Sequence, residues 1–416
     1  MVIANILLDG QQKDILVEGN RIKDIRPSLS AEPPRYAAFP GLINCHTHAA
    51  MTLLRGYGDD MPLENWLKDK IWPAEKHLDD ETIYWGSRLA CLEMIKSGTT
   101  CFNDMYFFQD ATARAAQDSG LRAVLSLTGM DFYDPHQAEE LKRRCLEWEK
   151  KIVPERRSAT QSEGMLRFAL APHAIYTVSP STLQWMKAFA DEHEMLFHLH
   201  LAETQTEVDN CMLANGVSPV RYLHQLGLLS PATILAHGLW LTPDDIDLLG
   251  SSGAKVVHNP NSNLKLASGY RFLYNELCAA GVTVSLGTDG ASSSNNLDLL
   301  EATKTMSLLQ KGWRGDPQAL PADEALRVAT HNGAETLNLN AGELAPGRLA
   351  DIILADLNNP AFTPCHNAVS NLVYSAHPDA IDTVIINGKI VMLHRIVKDE
   401  ELIVNEARRC AQKLVK

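Results

Sequence analysis

The chain of 416 residues has no window approaching the 18 or so uninterrupted apolar residues of a membrane helix. It has no Lys/Arg run long enough to form a positive stripe, and 38 basic against 51 acidic residues leave a net charge of −13. A membrane span and a nucleic-acid polymer are both excluded as expectations. The start MVIANILLDGQQKDILVEGN lacks a basic n-region and a cleavage site, so a cytoplasmic location is expected. The eight cysteines (Cys45, Cys91, Cys101, Cys145, Cys211, Cys278, Cys365 and Cys410) contain no C-x-x-C pair, which argues against a zinc ribbon or a redox motif and for reduced thiols. There is no repeat of fixed period and no low-complexity segment.

What is present is ordinary globular material. Hydrophobic residues at 45% and charged residues at 21% exclude disordered, collagen-like and coiled-coil classes. The length equals two to three typical domains, although one α/β barrel absorbs about 250 residues or more.

The first forty residues alternate apolar and polar positions around Gly19-Asn20, which predicts short strands and tight turns. From Phe39-Pro40-Gly41 the texture changes. Eight apolar runs recur with room for a helix between them: Leu42–His48, Thr100–Asp104, Arg122–Gly129, Leu166–His173, Met195–His200, Thr233–His237, Lys255–Asn259 and Thr283–Thr288. The intervening stretches Asp80–Ser97, Ser181–Glu194, Pro243–Ser252 and Asn296–Leu309 read as helices, with starts at Ser179-Pro180 and Thr242-Pro243. Eight β/α units in succession predict an α/β fold of the closed (β/α)8 barrel type. After Thr336 the alternating texture returns, and its Asn387-Gly388 turn resembles Gly19-Asn20. Residues 1–39 and 341–416 are therefore expected to form one small discontinuous β-sandwich domain, with the barrel over 40–340.

The chemistry shows in how the barrel strands end. The first ends His46-Thr47-His48, and residues two apart on a strand face the same way. The others end at His173, at His198-Leu199-His200 with Glu203 three residues on, at His237 and at Asp289. In a barrel all these ends open on one mouth, where barrel active sites form. Each residue alone has a bland reading, His173 as a loop histidine and Asp289 as a helix cap. Five strands that finish in His or Asp at one structural address point to a site. Three or four imidazoles and a carboxylate suit a first-row divalent cation, zinc first, with iron or manganese as alternatives. Such a metal lowers the pKa of a water to about 7. Asp289 can bind the metal and accept a proton, and Glu203 can shuttle one.

Taken in order, these residues resemble the amidohydrolase superfamily in its cytosine-deaminase-like and triazine-hydrolase-like branch. The resemblance rests on PGLINCHTH (40–48) with AAMTLLRG (49–56), IWPAE (71–75), SGTT (97–100), NPNSNLKLASG (259–269), GTDG (287–290) and PGRLAD (346–351), and covers nearly the whole chain. It is greatest to deaminases of 5′-methylthioadenosine and S-adenosylhomocysteine. The resemblance implies one divalent metal held by His46, His48, His200 and Asp289, with His198 left out of the set. It implies hydrolytic deamination of an adenine ring to a hypoxanthine ring, with Glu203, His237 and Asp289 catalytic. Substrate contacts fall to Glu75, His173 and His237, and the partner is a small nucleoside thioether handled by a homo-oligomer. Met51, Leu54, Trp66 and Trp72 are candidate walls for the thioether. Arg143, Arg144, Arg156 and Arg157 are candidates for a substrate carboxylate. The chain departs from the family pattern at Asn259, where a cysteine is usual, and at Gly238-Leu239-Trp240.

Two rivals stand beside this reading. The same site could act on guanine, cytosine or a triazine, because fold and metal do not fix the ring. Alternatively, the barrel could be a catalytically silent binding scaffold.

Overall fold

The computed structural model describes the backbone of residues 1–158 and 164–415, with side chains described except over 152–158. Two sheets organise the chain. The larger is parallel throughout and follows chain order from Leu42–His48 through Thr99–Tyr106, Arg122–Gly129, Leu166–Pro172, Leu196–Leu201, Thr233–His237 and Lys255–His258 to Val284–Leu286. After two intervening residues Asp289–Gly290 returns to the first strand, pairing Asp289 with Thr47 and Gly290 with His48. This last pairing closes the barrel. Most of these strands are buried along their length, as expected of parallel strands covered by helices.

The helices begin where local chemistry lets them. Pro243–Ser252 starts in a reciprocal cap between Thr242 and Asp245, and Pro180–Glu192 starts with proline in its first turn. The helix expected over Asn296–Leu309 instead spans Leu299–Arg314. Asp298 accepts from the amides of Leu300 and Glu301 and so sets the start, and Gly315 in a left-handed conformation ends it.

The smaller sheet has eight strands drawn from both termini, Val2–Leu8 to Tyr36–Pro40 and Ile352–Asp356 to Ile396–Val397. Its period-two alternation divides the side chains. Ala38, Ile352, Leu354 and Ile385 pack with Ile6, Ile15 and Ile22 in a core of their own. Ala37, Phe39, Ile353 and Val384 face the other way and join the core shared with the barrel helices. The two turns noted in the sequence meet in space. A Cβ on Gly388 would lie 2.2 Å from the Gly19 carbonyl oxygen, so this close approach demands glycine.

A buried ion pair fastens this sheet to the barrel. Arg122, at the start of the third barrel strand, donates from Nε to Asp351 Oδ2 (3.0 Å) and from Nη1 to the Gly164 carbonyl (2.8 Å). The Asn387 amide donates to Asp351 Oδ1 (2.6 Å). All eight cysteines are free, six of them buried, and no helix among the described residues is long and apolar enough to cross a membrane. Removing one member of a buried pair strands the other charge. Asp351→Ala is expected to cost about 3–5 kcal/mol, read as a lowered denaturation midpoint. An unchanged midpoint would show that Arg122 finds water or another partner.

Candidate active site

His46 and His48 leave the first barrel strand on one face, His200 comes from the fifth strand, and Asp289 sits in the short closing strand. One ligand atom from each of these four residues lies within 4.8 Å of all the others. Asp289 Oδ1 is 3.1 Å from His48 Nε2 and 3.4 Å from His46 Nε2, and the Nε2 atoms of His48 and His200 are 3.4 Å apart.

The far sides of the rings are already committed. His48 Nδ1 donates to the Met105 carbonyl (2.5 Å) and His200 Nδ1 to the His173 carbonyl (2.8 Å). These bonds place each ring's N–H on Nδ1, away from the cluster, and turn Nε2 inward. His46 Nδ1 shares a proton with His198 Nε2 at 3.1 Å, and its own Nε2 is buried with no hydrogen-bond partner. Burial lowers the His46 pKa to about 4, which keeps the imidazole neutral. On Asp289, Oδ2 accepts from Ser262 (2.6 Å) and Ser293 (3.0 Å), leaving Oδ1 toward the imidazoles. Inward-facing imidazole nitrogens, an orphaned buried nitrogen and one free carboxylate oxygen fit a divalent metal.

Polar residues not foreseen from sequence hold this set. Asn103 donates to the Cys45 carbonyl (3.0 Å) and meets His198 Nδ1 at 3.0 Å, which fixes the ring behind His46. Asp104 accepts from the Ala49 amide (2.7 Å) and pins the turn after His48. Glu207 accepts from the Ala202 and Glu203 amides, both at 2.9 Å, and so fixes the loop that carries Glu203, where Ala202 has φ +50°. The Glu207 spacing, four residues after Glu203, is a signal the sequence offered.

Glu203 is buried, and desolvation together with the nearby Asp289 raises its pKa to about 8. Ser268 donates to its Oε1 (3.3 Å), and its Oε2 lies 3.8 Å from His237 Nε2. His237 has φ +79°, and the Asn263 amide lies 2.8 Å from its Nδ1. Both departures from the family pattern belong to this wall. Asn259 reaches His237 Nδ1 at 3.4 Å, and Trp240 donates to the Ser268 carbonyl at 2.8 Å.

A pocket opens from the cluster, lined by His48, His173, His200, Glu203, His237 and Asp289. Glu75 also lines it, with Oε1 accepting from Tyr106 (2.8 Å), and burial raises its pKa to about 7. It is thus no solvated helix residue. His173 lines the pocket with Nδ1 on Thr177 Oγ1 at 2.9 Å. Met51, Trp66 and Trp72 reach the wall as expected. Leu54 does not, because the turn Ala49–Leu54 sends it into the core with Ile83. Arg143 is tied to Glu140 and Glu147 on an exposed helix face, and Arg144 lines an outer groove. Arg156 and Arg157 lie outside the described residues. His198→Phe is expected to weaken metal affinity about 10-fold to 100-fold, measured by competition with a chelator. An unchanged affinity would mean that the contact with His46 does not orient the ligand.

The model of the amidohydrolase family matches residues 37–391. The 5′-deoxyadenosine deaminase of Methanoregula boonei is 48% identical over 379 residues, covering 91% of this chain and 84% of that protein. The 5-methylthioadenosine/S-adenosylhomocysteine deaminase 1 of Archaeoglobus fulgidus is 41% identical over 409 residues, covering 96% and 95%. Among solved structures, a zinc-bound adenosine deaminase from Xanthomonas campestris superposes with a TM-score of 0.90 at 34% identity, covering 97% of this chain and 93% of that one. The zinc complex of an atrazine chlorohydrolase from Arthrobacter aurescens gives 0.89 at 23% identity, covering 99% of each chain, a likeness of fold. With its barrel, its cluster of three histidines and an aspartate, and these relatives, the chain belongs to the amidohydrolase family.

Proposed function

We propose that this protein is a metal-dependent hydrolytic deaminase that converts the adenine ring of 5′-methylthioadenosine and S-adenosylhomocysteine to a hypoxanthine ring and releases ammonia. The observation that carries the reading is the placement of Glu203, a carboxyl held in its protonated form by burial, beside His237 and the metal-ligand cluster. The names of three of these relatives, deaminases of adenine nucleosides, support the ring. Residues 1–39 with 341–416 and residues 40–340 are proposed as the two domains, supported by the separation into two sheets.

His46, His48, His200 and Asp289 would hold the metal, with zinc the leading candidate on ligand chemistry and on the zinc-bound relative. That ion would supply a water activated at neutral pH. The remaining steps belong to the chain. Glu203, whose Oε1 is engaged by Ser268, gives the proton on Oε2 to the ring nitrogen next to the amino-bearing carbon. This makes the amidine carbon electrophilic. His237 directs Nε2 at the attacked centre. Asp289 Oδ1 takes a proton from the attacking water and gives it to the amine, so the C–N bond breaks and ammonia leaves, while the new hydroxyl returns its remaining proton to Glu203 and becomes the carbonyl. Glu75 meets the ribose hydroxyls, and His173 faces the sugar or base.

Ammonia release on a panel of adenosine, 5′-methylthioadenosine, S-adenosylhomocysteine, guanine, cytosine and aminotriazines tests the reading. Activity confined to guanine, cytosine or triazines would refute it. Glu203→Gln is expected to keep the metal and lose about 10²-fold to 10⁴-fold in turnover, whereas metal loss in that variant would show that the roles are misassigned. The raised pKa sets the sign of the pH dependence. Glu203 is the active acid only while protonated, so kcat/KM falls as pH rises through about 8. A rate that climbs steadily across that range would contradict the assignment.

A further inference from the structure

The second barrel strand, Thr99–Tyr106, ends in two adjacent residues that hold different parts of the site. The Met105 carbonyl accepts from His48 Nδ1 at 2.5 Å, and the Tyr106 hydroxyl donates to Glu75 Oε1 at 2.8 Å. The first bond steadies a member of the ligand cluster, and the second reaches the carboxyl proposed to meet the ribose.

Tyr106 is a fixed donor. It is 2% exposed and shares a core cluster with Ile71, Ala74 and Ile83. Its backbone is held as well, because Gln109 Nε2 donates to the Tyr106 carbonyl (2.8 Å) and to the Ser126 carbonyl (2.9 Å) on the neighbouring strand. Its ring centroid stands 6.0 Å from that of His48. A buried tyrosine hydroxyl needs a partner, and here the partner is Glu75.

Glu75 has less support of its own. It is the last residue of the four-residue turn Trp72–Glu75, which follows the π turn Leu67–Ile71. A helix of one turn does not hold its geometry unaided, and glutamate is among the side chains with most rotamer freedom to lose. Among the described residues Tyr106 supplies the hydrogen bond that the Glu75 carboxyl receives, at Oε1, and Oε2 receives none. Oε2 is therefore left to a ligand in the pocket. Burial pushes the carboxyl toward its neutral form, and donation from Tyr106 opposes that push. The ionised form is the one that accepts from two hydroxyls at once.

Resting on the adenine-nucleoside reading, we infer that Tyr106 is a positioning residue for sugar recognition, whose hydroxyl orients the Glu75 carboxylate to accept from the 2′ and 3′ hydroxyls of the ribose. Tyr106 then acts through Glu75 and matters only for a substrate that carries those hydroxyls. A structural role through the His48 ring would instead weaken every substrate alike.

The test compares 5′-methylthioadenosine with its 2′,3′-dideoxy counterpart on the metal-loaded wild type, Tyr106→Phe, Glu75→Ala and the double variant. Phenylalanine keeps the ring and removes only the hydroxyl. In the wild type kcat/KM for the ribonucleoside is expected to exceed that for the dideoxy compound about a hundredfold. Tyr106→Phe is expected to reduce this ratio about tenfold through KM, with kcat for the ribonucleoside within about threefold of wild type and metal content unchanged. In the Glu75→Ala background the same substitution is expected to leave the ratio where Glu75→Ala puts it. Equal losses on both substrates, loss of the metal, or a further fall of the ratio in the double variant would overturn the inference, because Tyr106 would then act through His48 or the fold. A wild type indifferent to the two hydroxyls would overturn it as well, while leaving the deaminase reading intact. Silence on 5′-methylthioadenosine, 5′-deoxyadenosine and S-adenosylhomocysteine would defeat the deaminase reading itself, and the inference with it.

Discussion

Desolvation of the imidazoles at the barrel mouth is the constraint on which the rest of the site depends. Burial takes His46 to a pKa of about 4 and His237 to about 4, so neither carries a charge at neutral pH. His48 and His200 have their Nδ1 atoms tied to carbonyls, which turns their Nε2 atoms to the space between the rings. The same burial acts on Glu203 with the opposite chemical result, because a carboxyl denied water keeps its proton. One physical cause thus prepares both a ligand set and an acid. These are the two components that hydrolysis of an aromatic amidine requires.

Barrel closure converts this local chemistry into a site. The pairing of Asp289 with Thr47 and of Gly290 with His48 brings the last strand to the first and places a carboxylate from the end of the barrel beside histidines from its start. The smaller sheet supports the barrel from outside through Arg122 and Asp351, two residues 229 positions apart in the chain. The helical segment from Leu63 to Glu75 lines the pocket and contributes no member to the cluster.

The strand-end residues were legible because two periodicities coincide there: the two-residue repeat that aligns His46 with His48, and the spacing of β/α units that returns each strand to the same mouth. The Asn387-Gly388 and Gly19-Asn20 turns were legible for a similar reason, since turn chemistry is local. What sequence reasoning missed is the second layer. Asn103 acts on His198 from 95 positions away and Ser262 on Asp289 from 27, and a serine or asparagine gives no sign of so distant a partner in its own sequence surroundings. His198 lies outside the four-residue cluster, and its contact with His46 needed the parallel strands in place. Leu54 was misplaced because a one-turn helix has no periodicity from which to read its buried face.

The central claim is that four side chains, from the first strand, the fifth and the closing strand, converge on one metal ion. Anomalous diffraction from crystals of the purified protein, collected on both sides of the zinc absorption edge, tests it most directly. The account predicts one strong peak per chain, bounded by Nε2 of His46, His48 and His200 and by Oδ1 of Asp289. A peak elsewhere in the molecule, or two peaks sharing the cluster, would contradict it.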